Sequence, residues 1–214
     1  MSKKIPTGNK LTFLGRLHRI LVSRSRAEKL AMHLAPIFER DSSVLDVGCG
    51  YGLVSQNIRN LRPDISLSGI DIIVRDDCLI DAKIFDGSRF PFEEDEVDYV
   101  VFIDVLHHTN YPENLLREAA RIARKGVVVK DHQAEGFLAW KTLWFLDWAG
   151  NRPYDIGLTY NYWSRAQWLE AFEKIGLHEV ACTTKLDMYP FPFSLFFNRS
   201  LHFIGKLAVT EKVT

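Results

Sequence analysis

Apolar positions along the chain change their spacing repeatedly, and each change marks an element. Leu14, Leu17, Ile20, Leu21, Leu30, Leu34, Ile37 and Phe38 recur at helical intervals. They predict one or two helices over residues 11–39, the second kinked at Pro36. The β-branched run at 44–47 reads as a buried strand, and helical spacing resumes over 53–61. A Pro63-Asp64 turn leads to a second strand, Ile65 to Ile70, that ends on Asp71. Residues 72–84 crowd Arg75, Asp76, Asp77 and Asp81 among few apolar side chains, so a loop or single turn is expected there.

The second half repeats the alternation. Val97 to Asp104 is a buried strand ending in an acid, and Pro112 opens a helix to Ala123 with Leu115, Leu116, Ala119, Ala120 and Ile122 inward. Gly126 is expected to stop the link before the next strand, Val127 to Val129, which runs into Lys130-Asp131-His132. Phe137 to Trp148 is helical in spacing and rich in large apolar groups. Ser164 with Gln167 has the spacing of a capping box for a helix to Lys174, ended by Gly176. Strands near 178–185 and 201–209 complete the set. This order predicts an α/β fold with a mostly parallel sheet, whose ligands gather at the carboxyl ends of the strands. Residues 1–40 read as a basic helical extension and 41–214 as one domain, with a helical and aromatic insertion around 133–165.

Residues 44–52, Val-Leu-Asp-Val-Gly-Cys-Gly-Tyr-Gly, join strand to helix through three glycines at alternate positions. Glycine leaves no Cβ in the way, so a bulky ligand can press against the main chain at the mouth of the helix. The dinucleotide fingerprint G-x-G-x-x-G fits imperfectly: its sixth position is Leu53, and the third glycine comes one residue early. An acid just ahead of the turn, Asp46, suits a cationic ligand better than a pyrophosphate. Asp71, at the end of the second strand, lies where a carboxylate can accept from ribose hydroxyls.

Composition narrows the classes. Lys and Arg number 27 against 27 Asp and Glu, so no global field recruits nucleic acid. Residues 1–30 are nevertheless basic, with eight Lys and Arg against Glu28, which suits anionic lipid, a phosphate or a solvated terminus. Cys49, Cys78 and Cys182 have neither disulfide-framework nor metal-ligand spacing and read as reduced packing residues. With no signal-peptide pattern and no long apolar run, a cytoplasmic protein without a spanning helix is expected. The segment Met188 to Phe197 is broken by Pro190 and Pro192, and reads as a sheet closure or as a surface for lipid or a partner.

The spacing Gly48-x-Gly50-x-Gly52 behind Asp46 resembles motif I of the class I S-adenosylmethionine-dependent methyltransferases. Phe90-Pro91-Phe92 followed by acids, Val97-Asp98-Tyr99-Val100-Val101, and Asp104-Val105-Leu106-His107-His108 look like the type 11 branch of that superfamily. The ordered matches cover about residues 40–132. The resemblance implies a Rossmann-like, doubly wound, seven-stranded, mostly parallel sheet with one antiparallel edge strand. It implies S-adenosylmethionine as cofactor, held by Asp46, Gly48, Gly50, Gly52, Asp71, Ile72, Asp86, Gly87 and Asp104. Asp86 and Gly87 would meet the adenine, although Asp-Gly alone is an ordinary turn.

For the chemistry, His132 is the first candidate base, with Asp131 as its orienting partner or an acceptor contact and His107 as a further acid-base group. Methyl transfer from a sulfonium needs alignment and water exclusion and requires no metal. An aromatic lid over residues 133–165 suits a small-molecule or lipid-like acceptor, modified at oxygen or carbon. Two other classes keep the same features: a nicotinamide oxidoreductase, and a non-catalytic ligand-binding protein of this fold.

Overall fold

The computed structural model describes residues 13–136, 138–144, 161–188 and 200–209, with side chains from Arg24 onward. The elements are α1 (Phe13–Leu34), β1 (Ser43–Val47), α2 (Leu53–Leu61), β2 (Ser66–Asp71), β3 (Ala82–Ile84) and β4 (Val97–Ile103). There follow α3 (Pro112–Ile122), β5 (Ala123–His132), a helical stretch α4 (139–144), α5 (Arg165–Ile175), β6 (Leu177–Thr183) and β7 (His202–Val209). They form a seven-stranded sheet in the order β3-β2-β1-β4-β5-β7-β6. The first five strands in that order run parallel, while β7 is antiparallel to both β5 and β6.

Strand alternation divides the core between two faces. On one, Leu45, Val100, Phe102, Val127 and Val129 pack under α3 and α5, with Trp168 and Phe172 filling the layer. On the other, Val44, Tyr99, Val101 and Val128 meet Leu30 and Leu34 of α1 and Ile58 of α2. Both faces are covered, and β1, β4 and β5 accordingly read as nearly unbroken apolar runs. α1 is one continuous helix, ending in a turn of 3-10 helix at Ala35–Ile37 that begins just before Pro36. Ser164 caps α5 through Gln167 in a full capping box, and Gly176 ends it at φ 81°.

Two boundaries differ from expectation. No helix follows β2, but the stretch expected to be a loop closes with the short strand β3, which pairs with Gly69, Ile70 and Asp71. β5 spans Ala123–His132, far longer than 127–129, because α3 runs straight into the strand with no link. Gly126 is thus inside β5: a Cβ there would lie 2.5 Å from the Leu207 carbonyl oxygen, so the glycine permits close approach of β7. Cys182, expected to pack, is exposed, whereas Cys49 and Cys78 are partly buried. The expected segments 145–160 and 189–197, and the basic residues before 13, lie outside the described residues. No described helix is long and apolar enough to cross a membrane.

Gly126→Ala should lower stability by about 1–3 kcal/mol, since backbone and not a flexible side chain opposes the added carbon. A urea-unfolding midpoint equal to that of the parent protein would contradict this packing.

Candidate active site

β1 and β4 are neighbours in the sheet but not in sequence, so the strand order switches between them and opens a crevice at their carboxyl ends. The glycine turn lies at that switch. The Gly48 amide donates to the Ile70 carbonyl at 2.8 Å, and the Gly50 amide donates to Asp71 Oδ2 at 2.8 Å. Both tie the turn to the end of β2. Gly48, at φ 73°, presses on Val105, whose methyl carbons would lie 2.7 and 2.9 Å from an added Cβ. Gly50, at φ 58°, has only the Arg75 guanidinium near its missing Cβ, at 3.9 Å. Gly48 is therefore a packing glycine, as is Gly52, where an added Cβ would lie 2.7 Å from Ile80, and Gly50 is the least crowded of the three.

Around this turn stand the other expected contacts. Asp71 also accepts from the Ile73 amide at 3.1 Å, so each of its oxygens already orients one backbone donor. Ile72 is 60% exposed beside it, an apolar side chain left without cover at the end of β2. Gly87, at φ 84°, would bring a Cβ to 3.3 Å from Ile72, which puts the Asp86-Gly87 turn against that residue. Asp86 is exposed, and its Oδ1 accepts from the amides of Ser88 and Arg89 and the Ser88 hydroxyl. Those bonds hold its carboxyl below the usual carboxylate range.

Asp46 lies beneath the turn, buried. Its Oδ2 accepts from the Ser55 hydroxyl at 2.6 Å, while Oδ1 has no hydrogen-bond partner. Burial pushes its carboxyl up to about 7, with Ser55 opposing and Asp71 adding to the rise. Such an acid sits poised for a positive neighbour, which would return it to the charged form.

A second group begins one step along β4. Asp104, at φ 57°, turns the chain out of the strand. Its carboxylate accepts from Arg26 of α1 at 2.5 Å and from the ammonium of Lys130 on β5. Burial alone would raise this carboxyl, yet Arg26 and Lys130 hold it well below the ordinary range. Expected among the cofactor contacts, Asp104 has both oxygens engaged by cations of the chain.

Val105 then touches Gly48, and Leu106–His108 forms a turn of 3-10 helix. The Leu106 amide donates to Asp131 Oδ2 at 3.0 Å, and His107 Nδ1 meets Asp131 Oδ1 at 2.5 Å. The His132 amide donates to the same Oδ1 at 2.6 Å, and His132 Nδ1 lies 3.3 Å from His107 Nδ1. Burial and His107 both lower the pKa of His132. Burial would raise Asp131, but His107 beside it holds the carboxyl low.

The three expected catalytic residues thus converge, with Asp131 bonded to His107 more closely than to His132. Arg26, Lys130, Tyr162 and His202 join this group without having been expected as site residues, although Lys130 adjoins the expected pair in sequence and Tyr162 falls within the expected aromatic insertion. His202 pairs with His132 across β5 and β7, ring centroids 4.7 Å apart. Tyr162 stacks on His107 at 6.0 Å and meets His132 edge-on at 5.9 Å. A lysine in an apolar strand was a further visible signal, since its charge demands a buried partner.

An open glycine turn at the switch point of a doubly wound sheet, with acids at the ends of β1, β2 and β4, defines a class I methyltransferase fold. A family model described as a methyltransferase domain matches residues 19–181, and the chain belongs to that family.

The chain is similar to the mitochondrial ubiquinone biosynthesis O-methyltransferase of Saccharomyces cerevisiae, 27% identical over 120 residues that cover 49% of this chain and 38% of the relative. The Candida albicans protein of the same name is 30% identical over 125 residues, covering 50% of this chain and 37% of that one. The match therefore spans well under half the length of these curated relatives. Geranyl diphosphate C-methyltransferase from Streptomyces coelicolor, solved with Mg2+, geranyl-S-thiolodiphosphate and S-adenosyl-L-homocysteine, superposes with a TM-score of 0.56 at 12% identity. That likeness covers 79% of this chain and 70% of the other and concerns the fold.

Asp46 yields a prediction of its own. Its folded-state pKa is raised from 3.8 to about 7, so the folded protein keeps a proton that the unfolded chain gives up in that window. Stability of the cofactor-free protein therefore falls as pH rises from 3.8 toward about 7, on the order of 4 kcal/mol for a shift of this size. Asp46→Asn should melt several degrees above the parent at pH 8, with the gap closing near pH 4. Parallel melting curves across that range would refute the buried charge.

Proposed function

We propose that this chain transfers the methyl group of S-adenosylmethionine to an oxygen, or to an acidic carbon, of a small-molecule or lipid-like acceptor. The observation that carries the reading is the contact of Gly48 with Val105. It joins the open glycine turn to the His107–Asp131–His132 group through a single residue, so donor and acceptor ends share one wall.

The ribose would meet Asp71, the adenine would lie by Ile72 with Asp86 and Gly87 at its edge, and the aminoacyl ammonium would lie near the turn above Asp46. The sulfonium brings its own activation. The chain adds in-line alignment, exclusion of water and a place for the acceptor's proton on an imidazole oriented by Asp131. As the C–S bond breaks and the new bond to the acceptor forms, the electron pair stays on sulfur and neutral S-adenosylhomocysteine leaves.

Relatives named as O-methyltransferases favour oxygen over carbon. Tyr162 over the histidines and the 51% exposed Trp140 near it, ring centroids 6.3 Å apart, favour a flat or apolar acceptor. A cytoplasmic setting, with contact to a membrane surface through the basic N-terminus, fits such an acceptor.

Gly50→Val and Asp71→Ala should each weaken S-adenosylmethionine binding roughly 10-fold to 100-fold by calorimetry, the size expected for losing hydrogen bonds to a charged group or filling the cradle. Unchanged affinity in both would remove the assigned pocket, and tight NADH binding in a fluorescence titration would replace the reading with a nicotinamide one. His132→Ala should lower turnover roughly 100-fold or more while leaving cofactor affinity within about twofold. Turnover equal to the parent's would deprive His132 of its part.

A further inference from the structure

We propose that His107, Asp131 and His132 form a binding site for one divalent transition-metal ion of the Zn2+ class, at the acceptor end of the cleft. One ligand atom from each lies within 4.8 Å of the others, and all three residues are buried. Two imidazoles and one carboxylate are a donor set suited to borderline ions and leave positions open for a substrate.

The spacing carries the assignment. Two nitrogens on a tetrahedral ion, each at about 2.0–2.1 Å from it, are separated by roughly 3.3 Å. His107 Nδ1 and His132 Nδ1 stand 3.3 Å apart, and Asp131 Oδ1 is 3.5 Å from His132 Nδ1. His107 Nδ1 is also the atom that meets Asp131 Oδ1, and the two rings stand nearly perpendicular with centroids 4.3 Å apart. In the ion-free protein a proton on His107 holds carboxylate and imidazole together, and a metal ion bound by all three groups would take its place. The third edge, 2.5 Å between His107 Nδ1 and Asp131 Oδ1, is a hydrogen-bond length and must widen as the ion displaces the proton from it.

The surroundings fit this exchange. Asp131 is held from behind by the amides of Leu106 and His132, the kind of outer support that fixes a ligating carboxylate. Its ion-pair partners are the two imidazoles, and Lys130, one residue earlier, turns to the other face of β5. Asp104, His132 and His202 also cluster within ligand distance. There the one carboxylate already faces Arg26 and Lys130, so a divalent ion would be the third cation on it. Charge selects the first set.

Binding of the ion stands by itself, whereas its task rests on the methyl-transfer reading. A hydroxyl on the ion loses its proton to water at lower pH than it would unaided, and its oxygen then attacks the methyl carbon. In the loaded protein the ion would stabilise the alkoxide without taking up its proton, whereas in the ion-free protein an imidazole would take that proton.

The test uses the full chain stripped by a chelator and titrated with Co2+, a coloured stand-in for Zn2+. One equivalent should develop visible d–d bands, one equivalent of Zn2+ should abolish them, and His107→Gln or His132→Gln should each weaken Co2+ binding at least about 100-fold. Zn2+ should also raise the melting temperature of the parent protein, which decides the matter should either variant fail to fold. No band and no thermal shift in the parent, or a site lost with His202→Gln and Asp104→Asn yet kept in His107→Gln, would overturn the assignment. Calorimetry of S-adenosylmethionine on the stripped protein separates the two claims. Retained binding with no metal site sinks the ion alone, and absent cofactor binding sinks the methyl-transfer reading.

Discussion

The carboxyl end of this sheet depends on a buried ammonium. Lys130 is fully enclosed in β5, and an isolated charge there would be expelled or neutralised. Asp104 supplies the opposite charge from the end of β4, and Arg26 of α1 completes the set from above. A buried pair of this kind adds little net stability over apolar packing, but breaking one partner leaves a naked charge, so the geometry is enforced. Three elements distant in sequence are pinned at one point.

What lies next to that point inherits its position. Asp104 leaves β4 at φ 57°, a conformation that few residues other than glycine take and that an aspartate tolerates. From it the chain passes at once through Val105 against the glycine turn and into the 3-10 turn that presents His107. On β5 the residues after Lys130 are Asp131 and His132, set by the same pin and buttressed from below by Trp168, whose indole donates to the His132 carbonyl at 2.9 Å. Glycine turn and histidine cluster are therefore not independent features placed on a scaffold. They are the two flanks of one ion pair.

The sheet belongs to a widely used plan, and such a plan does not choose a reaction. What distinguishes this chain is what crowds the ends of β4, β5 and β7. Three histidines, Tyr162 and two aspartates share a small volume, and the histidines and Asp131 are buried. In that setting polar contacts between neighbours are strengthened.

The glycine turn and its neighbouring acids were legible in the sequence because they are local. A strand that breaks into alternate glycines, and acids at the ends of successive strands, are features of one short segment each, and period alone sets where they lie in a parallel sheet. The histidine cluster was legible only in part. His107, Asp131 and His132 could be named from strand ends, but that Asp131 turns to His107 depends on the pairing of β4 with β5. His202 faces His132 because β7 enters antiparallel between β5 and β6, a register set by long-range pairing and by the missing side chain of Gly126. Arg26 reaches Asp104 only once α1 has packed across the sheet. Sequence determined which chemical groups stand at the strand ends, since that follows from backbone period. Tertiary structure decided which of them touch, since contact across 78 residues is fixed by packing of whole elements and not by the chain between.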